Sequence, residues 1–422
     1  MGMNDTPRSN RPHIVLLGRR NAGKSSILNA LTGQSVAVVS PIGGTTTDPV
    51  FKPMELLPAG PIVLVDTAGL DDEGEIGALR RDKTLQILNS TDLALLVVDA
   101  TVGVSSFELE LLDKLRTKKI PVIGVLNKVD TLAESEQMIT ALEAELDLSL
   151  IPFSASMLQG DTELKKAITS TLPHNEDRFR IVGDLLSPGD VVVLVVPIDK
   201  AAPKGRLILP QQQTIRDTLE SDAIAVVTKE HELRLTLERL GSKPRLVITD
   251  SQVFMKVAAD TPKDVPLTSF SILFARHKGD LDELVRGARA IERLKDGDRV
   301  LIAEACTHQC QSDDIGRVKI PRWLRQTIGK RLIIEHASGP SFPDDLSEYA
   351  LVIHCGACML NRRTMLHRLS EAKAAGVPIV NYGVFIAYVQ GVFPRAIECF
   401  PSAMLAWEHA LEPTAIAERS HH

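Results

Sequence analysis

The chain has 422 residues and 44% hydrophobic content, which allows roughly two to four domains with sizeable buried cores. Its formal net charge of -6 argues against a general electrostatic footprint for nucleic acid, so no nucleic-acid partner is expected. The Met1–His13 stretch is polar and no run of about eighteen apolar residues occurs, so the expectation is a cytoplasmic protein without membrane attachment.

Apolar runs of strand length recur along the chain, bounded by turn residues and separated by longer amphipathic stretches. This is the pattern of α/β architecture with mainly parallel sheets. The first series predicts strands near His13–Gly18, Pro61–Thr67, Leu93–Ala100, Pro121–Lys128 and Leu150–Ser154. It ends around Pro173, and the charged His174–Arg178 segment reads as a linker. A second series runs through Val191–Val196, Ala223–Val227 and Arg245–Ile248 and carries no convincing catalytic constellation. Its continuous Val/Ile runs need cover on both faces, from helices or from a partner protomer, which makes a homodimer or higher homo-oligomer the expectation. A third series predicts strands at Arg299–Glu304, Arg331–His336, Ala350–His354 and Pro378–Tyr382.

The first series carries four ordered motifs. Gly18-Arg19-Arg20-Asn21-Ala22-Gly23-Lys24-Ser25 matches the P-loop pattern, between a predicted strand and a predicted helix that continues through Ser26. Gly18 and Gly23 let backbone N–H groups approach phosphate, the helix N-terminus favours negative charge, Lys24 neutralises the β and γ phosphates, and Ser25 ligates magnesium. Asp66-Thr67-Ala68-Gly69 ends the next strongly apolar strand; Asp66 would hold magnesium through water and the Gly69 amide would sense γ-phosphate. Asn127-Lys128-Val129-Asp130 ends a later strand, where the Asp130 carboxylate would accept from N1 and N2 of guanine and repel adenine. Ser154-Ala155 supplies the loop behind the base. Any one of these acids alone reads as a strand-end or N-cap residue, but the ordered set points to GTP with magnesium. Gly43 to Asp48 has the glycines and hydroxyls of a switch loop, one of whose threonines must reach magnesium. The expected organisation is a P-loop GTPase domain over 1–175, a smaller α/β domain over 176–270 and another over 271–422.

Four of the five cysteines fall in the third series, in Cys306-Thr307-His308, Cys310 and His354-Cys355-Gly356-Ala357-Cys358. An odd, late-clustered set does not resemble a secreted disulfide framework. Thiolates and imidazoles in this spacing suit zinc or an iron–sulfur cluster, while the bland alternative is small residues in a tight packing turn. Both strings follow strands, so a parallel sheet would bring Cys306 and Cys355 to its carboxyl edge. Cys355 and Cys358 are expected at the start of a helix, whose dipole and free amides would stabilise thiolates. Cys306 is the natural third ligand, with His308, Cys310, His354 or an exchangeable group as fourth. Cys399 stands apart and reads as a buried small hydrophobe.

The motif set from Gly18 to Ala155 resembles the TrmE/Era branch of translation-factor-type GTPases. That resemblance aligns Thr46 with the magnesium threonine and Asn21 with an asparagine that helps hold potassium, an ion replacing the charge of an arginine finger. Leu70 stands where many small GTPases carry a water-orienting glutamine, and Glu73 and Glu75 are weak candidates for that task. An RNA-associated GTPase of this branch is one rival reading and a regulatory GTPase with a structural zinc site another; no RNA-recognition motif is evident outside the first domain. The whole-chain order, with Lys204-Gly205-Arg206-Leu207-Ile208-Leu209-Pro210 in the middle segment and Glu304 to His308 and His354 to Cys358 in the last, resembles the HydF family, GTPases that assist maturation of iron-only (FeFe) hydrogenase. What this implies is a 4Fe-4S cluster on Cys306, Cys355 and Cys358 with an exchangeable fourth position, and a dimerising middle segment. It further implies a transient diiron precursor made with radical-SAM maturases and passed to apo FeFe-hydrogenase. Cys310 departs from the family pattern, and as a fourth ligand it would close that position.

Overall fold

The protein is described by a computed structural model over residues 8–33, 49–67, 86–131, 136–172, 180–198, 207–305, 314–339, 342–343, 345–358 and 360–410. The linker expected at His174–Arg178 lies outside these residues, as do Lys204, Gly205 and Arg206. The chain forms two compact units, Met1–Asn175 and Glu176–His422.

In the first unit, β1 (His13–Leu17), β2 (Val50–Leu56), β3 (Gly60–Asp66), β4 (Leu93–Asp99), β5 (Val122–Asn127) and β6 (Leu150–Phe153) form one sheet in the order β2-β3-β1-β4-β5-β6. All neighbours are parallel except β2, which runs antiparallel to β3. Side chains alternate between faces, so Ile14 and Leu16 of β1 pack with Ile27, Leu28 and Leu31 of helix Lys24–Thr32. Val15 and Leu17 face the other way, toward Leu111, Leu112 and Leu115 of helix Ser106–Thr117. Burial on both faces is why these strands read as unbroken apolar runs. Helix Ser106–Thr117 starts with a capping box: Ser105 accepts from Phe107 N, and Glu108 accepts from Ser105 N at 2.9 Å. The same Glu108 carboxylate takes two hydrogen bonds from Arg19, both 2.8 Å, which ties the start of the P-loop to that helix.

The described residues of the second unit form two four-stranded sheets. β7 (Val191–Val195), β8 (Ile224–Thr228), β9 (Leu246–Thr249) and β10 (Leu267–Ser269) run parallel in the order β10-β9-β7-β8. β11 (Arg299–Glu304), β12 (Ile333–Ser338), β13 (Leu351–His354) and β14 (Ile379–Asn381) run parallel in the order β12-β11-β13-β14. Both sheets contribute to one hydrophobic core, bridged by Phe270, Ile272, Leu273 and Phe274 of helix Phe270–Lys278. The division read at 270/271 therefore meets this structure at the bridging helix. Helix Leu281–Ala288 lies so close to β14 that a Cβ on Gly287 would sit 1.9 Å from the Ile379 carbonyl oxygen, a contact only glycine permits. Among the described residues no helix is long and apolar enough to cross a membrane.

Candidate functional site

The nucleotide motifs converge at the carboxyl ends of β1, β3, β5 and β6. Gly23 caps helix Lys24–Thr32 with φ 92°, and a Cβ there would meet the Asn127 amide at 2.1 Å, so backbone freedom and close approach both demand glycine. Lys24 is buried, its Nζ donating to the carbonyls of Gly18 (2.9 Å) and Arg19 (2.7 Å). Ser25 Oγ donates to Asp66 Oδ2, while Asp66 Oδ1, also buried, has no hydrogen-bond partner among the described residues. Burial pushes the Asp66 carboxyl up, against the opposing pull of Ser25, Lys24 and the Thr67 amide. An orphaned carboxylate oxygen beside a hydroxyl at a helix N-terminus suits a hydrated magnesium ion bound to phosphate.

Asn127 Nδ2 donates to the Ala22 carbonyl at 2.9 Å, joining the end of β5 to the P-loop, and its Oδ1 has no partner among the described residues. Lys128 adopts φ 67° and pairs with Asp99. Burial raises Asp99, but hydrogen bonds from Lys128 and Thr101 outweigh it and hold the carboxyl low. Asp130 is exposed and accepts from Ser156 Oγ at 3.0 Å, and Ser156 in turn meets Ser154 Oγ at 3.0 Å. These hydroxyls, Ser154 first, hold Asp130 below the usual carboxylate range, which keeps it an ionised hydrogen-bond acceptor. Ser156, which lies beyond the Ser154-Ala155 pair, is thus the link between the loops that follow β5 and β6. Asn21 is exposed in the left-handed region with φ 61°, Ser26 occupies the first turn of the helix, and Ala155 is partly buried. Thr46, Gly69, Leu70, Glu73 and Glu75 lie outside the described residues.

The second candidate site lies at the carboxyl edge of the β12-β11-β13-β14 sheet. Ala303 of β11 pairs with His354 of β13, and the Cys355 amide donates to the Ala303 carbonyl at 2.8 Å. The amide of Ala305 donates to Cys355 Sγ at 3.1 Å. The residue preceding Cys306 is thereby held against the sulfur of Cys355. Cys306, His308 and Cys310 themselves lie outside the described residues, and among those described no three His, Cys, Asp or Glu side chains converge as a metal site.

The expected helix start at Cys355 is corrected by the structure. Ala357 turns the chain through φ 52°, and the helix runs from Arg362 to Ala374, capped by Asn361 accepting from Thr364 N at 3.0 Å. Asn361 is a good cap and the left-handed turn delays nucleation, so the cysteines occupy the loop before the helix. One positive partner of this loop is Lys278, whose Nζ donates to the carbonyls of Ala357 (3.2 Å), Cys358 (3.2 Å) and Leu360 (2.8 Å). Burial pushes Lys278 down to about 8, with the Cys358 and Cys355 thiols pulling the other way.

His354 is fully buried, and both its ring nitrogens are engaged. Arg368 donates to Nε2 at 2.9 Å; arginine cannot accept, so the ring proton sits on Nδ1 and is donated to the Cys355 carbonyl at 2.8 Å. In this arrangement His354 orients the Cys355 peptide, and reaching iron would require giving up one of these bonds. Arg368 also donates to the Gly339 carbonyl at 3.1 Å. Neither Lys278 nor Arg368 was visible in the sequence, where each reads as an ordinary helix cation. Cys399 packs against the shared core, and burial pushes its thiol up to about 12, in keeping with a small hydrophobe.

His277, beside Lys278, is also buried, and burial with the charges of Lys278, Arg362 and Arg276 pushes it down to about 4. The unfolded chain takes up this proton near its ordinary value of 6.5, whereas the folded chain resists it until about 4. Stability is therefore present above pH 6.5 and lost on acidification, by about 2 kcal/mol between pH 7 and pH 5. Urea denaturation at the two pH values should include this loss, and His277→Gln should remove the His277 share while leaving that of the likewise buried His354, which burial also pushes down to about 4.

Residues 181–279 match the family profile described as Hydrogen maturase F dimerization domain, and residues 282–399 match Hydrogen maturase F tetramerization domain. Residues 13–128 match 50S ribosome-binding GTPase, and 81–228 match Elongation factor Tu GTP binding domain. Together the two maturase profiles cover just over half of the chain. Among curated proteins, tRNA modification GTPase MnmE of Desulfotalea psychrophila is 37% identical over 158 residues, 37% of this chain and 33% of that protein. GTPase Der of Solidesulfovibrio magneticus is 35% identical over 167 residues, 39% of this chain and 37% of that protein. The chain thus spans about a third of the length of these curated relatives. Among solved structures, a point variant of Aquifex aeolicus Era bound to GDP.AlF4- aligns at TM-score 0.37 and 22% identity, covering 55% of this chain and 99% of Era. A TM-score this low bears on nothing further.

Proposed function

We propose, from the premise that this chain belongs to the hydrogen maturase F family, that it is a GTPase scaffold and carrier for an iron–sulfur cluster. In this reading it assembles the diiron subcluster precursor and delivers it to apo FeFe-hydrogenase, working with radical-SAM maturases in the cytoplasm. The observation that carries the reading is the hydrogen bond from the Ala305 amide to Cys355 Sγ, which holds the residue before Cys306 against the sulfur of Cys355. Cys306, Cys355 and Cys358 would hold a 4Fe-4S cluster. The donor set fits: two thiols lie on one loop, an amide already donates to sulfur, and a buried ammonium stands behind the loop. Such a cluster, incompletely ligated by protein, supplies an iron position that can exchange ligands. His308 and Cys310 remain candidates for that position, and the engaged nitrogens of His354 make it the weakest of the three.

The other unit is a P-loop GTPase domain that binds GTP with magnesium. Its residues do the positioning in the proposed hydrolysis. Lys24 and the loop amides bind the phosphates; Ser25, Thr46 and Asp66 would serve magnesium; Gly69 would report γ-phosphate; Asn127 and Asp130 would select guanine. Asn21, exposed at the loop, would hold potassium. The family profiles support homo-oligomerisation, and a homodimer through 176–270 fits the exposed Ile224 and Val227 of edge strand β8, with 271–422 as the cluster-binding segment.

Anaerobic purification followed by iron, sulfide and zinc analysis, with EPR after reduction, tests the reading. About four iron and four sulfide per chain with a reducible signal are expected. Stoichiometric zinc without reconstitutable iron would overturn it.

A further inference from the structure

Lys278 ends helix Phe270–Lys278 and is 2% exposed, a costly place for an ammonium. An ammonium has three hydrogens, and here three carbonyls take them: Ala357, Cys358 and Leu360, all from the loop that carries Cys355 and Cys358. These partners are neutral, so they satisfy the donors and leave the positive charge uncancelled. A buried cation ringed by carbonyls is stabilised further only by an anion nearby. The groups placed to supply that anion are the cysteine sulfurs and whatever they hold.

The contact is reciprocal. Arg362 opens the helix that follows the loop, and its guanidinium donates back to the carbonyls of Arg276, His277 and Gly279. Those carbonyls close the helix that ends in Lys278, where cations are favoured. Each segment thus furnishes the cation that caps the other's carbonyls. The two cations also join the segment matched by the dimerization profile to the loop in the segment matched by the tetramerization profile.

We propose that Lys278 is a positioning residue for the cluster, holding the Cys355–Cys358 loop in its ligand-presenting shape and placing a fixed positive charge behind it. The inference rests on the iron–sulfur reading above and assigns to Lys278 the hold on the Ala357, Cys358 and Leu360 carbonyls and a positive charge that adds to that of the likewise buried Arg368. Removing an outer-shell partner of a metal ligand costs roughly 10- to 100-fold in metal affinity. A nearby positive charge favours the more reduced cluster, so its loss shifts the reduction potential negative.

The test uses the full-length chain and three variants. Lys278→Met removes donors and charge, Lys278→Gln keeps amide donors without charge, and Lys278→Arg keeps the charge. Three readouts are needed: iron release to a chelator, midpoint potential by EPR-monitored titration, and amide hydrogen exchange over 355–361 before loading. Lys278→Met should release iron about tenfold faster or more and should speed exchange in the loop. Lys278→Gln should shift the potential negative while protecting the loop better than Lys278→Met, and Lys278→Arg should keep a potential close to that of the unaltered chain. Unchanged potential, iron release and exchange in a folded Lys278→Met or Lys278→Gln variant would overturn the proposal. If Lys278→Met fails to fold, the Gln and Arg pair decides by potential. If the unaltered chain takes up no iron, the cluster reading itself falls; loop exchange in the unloaded variants then decides whether Lys278 positions the loop.

Discussion

A Cys355→Ser chain is expected to fold, to hydrolyse GTP within about twofold of the unaltered rate and, in the proposed iron–sulfur reading, to lose nearly all of its cluster iron. Folding should survive because the contacts made by this residue are ones serine can keep. Its amide bond to the Ala303 carbonyl is backbone, and a hydroxyl accepts from the Ala305 amide as readily as sulfur does. The stability change should stay within about 1 kcal/mol. Iron should be lost because a serine hydroxyl is un-ionised near neutral pH and is a hard donor, whereas the cluster needs thiolate. GTP hydrolysis should persist because the P-loop belongs to the other compact unit. Cys358→Ser should behave alike, and Cys399→Ser, altering a residue packed on the shared core, should keep its iron. Iron assay and single-turnover hydrolysis on the same preparations check all three. Retention of a full iron complement by Cys355→Ser would remove this residue from the ligand set.

What could be read from residues alone followed burial. β1, β3, β4, β5, β6, β7, β8, β9 and the four strands of the last sheet all overlap the apolar runs that predicted them; most are covered strands written as such runs, while the edge strands β8 and β12 hold no buried residue and were legible from their apolar composition alone. Two strands were not anticipated. β2 is an edge strand with Pro53 in its middle and mostly half-exposed residues, so its hydrophobic signal is broken. β10 has three residues, too few to show a period. The carboxyl-edge placement of Cys355 was legible because it follows from strand direction. The loop around it was not: a left-handed alanine and an asparagine cap moved the helix start beyond Cys358, and local propensity does not announce an alanine in that region. The cation serving that loop arrives from Lys278, 80 residues earlier, and only tertiary packing makes it a neighbour.

The His354–Arg368 pair has the same origin. A histidine next to a cysteine pair invites a ligand reading, and only the buried guanidinium on helix Arg362–Ala374 reveals that its Nε2 lone pair is already used. Fixing the imidazole by a donor that cannot accept leaves one tautomer, and that tautomer pins the carbonyl of Cys355. The thiol loop is thus held at two points, through the Cys355 carbonyl by His354 and through the carbonyls of Ala357, Cys358 and Leu360 by Lys278. Both holds act on backbone, leaving the sulfurs of Cys355 and Cys358 to the metal in the proposed reading.

Lys24→Ala should have the converse effect, lowering GTP hydrolysis by about a hundredfold or more while sparing iron content. The helix it opens should survive, since alanine is the better helix former and the cap is Gly23, not the lysine. What is lost is the buried ammonium that the carbonyls of Gly18 and Arg19 aim across the loop. Those carbonyls would then face bound phosphate without a cation between them, so the variant adds repulsion as well as removing charge-assisted hydrogen bonds. Lys24→Arg should not restore activity, because a planar guanidinium cannot occupy a point held by two carbonyls within 2.9 Å of one nitrogen. Nucleotide titration and single-turnover hydrolysis, with magnesium and potassium present, are the measurements. Hydrolysis by Lys24→Ala at the unaltered rate would mean that the phosphates are neutralised elsewhere in the loop, and Lys24 would lose its assigned part in the chemistry.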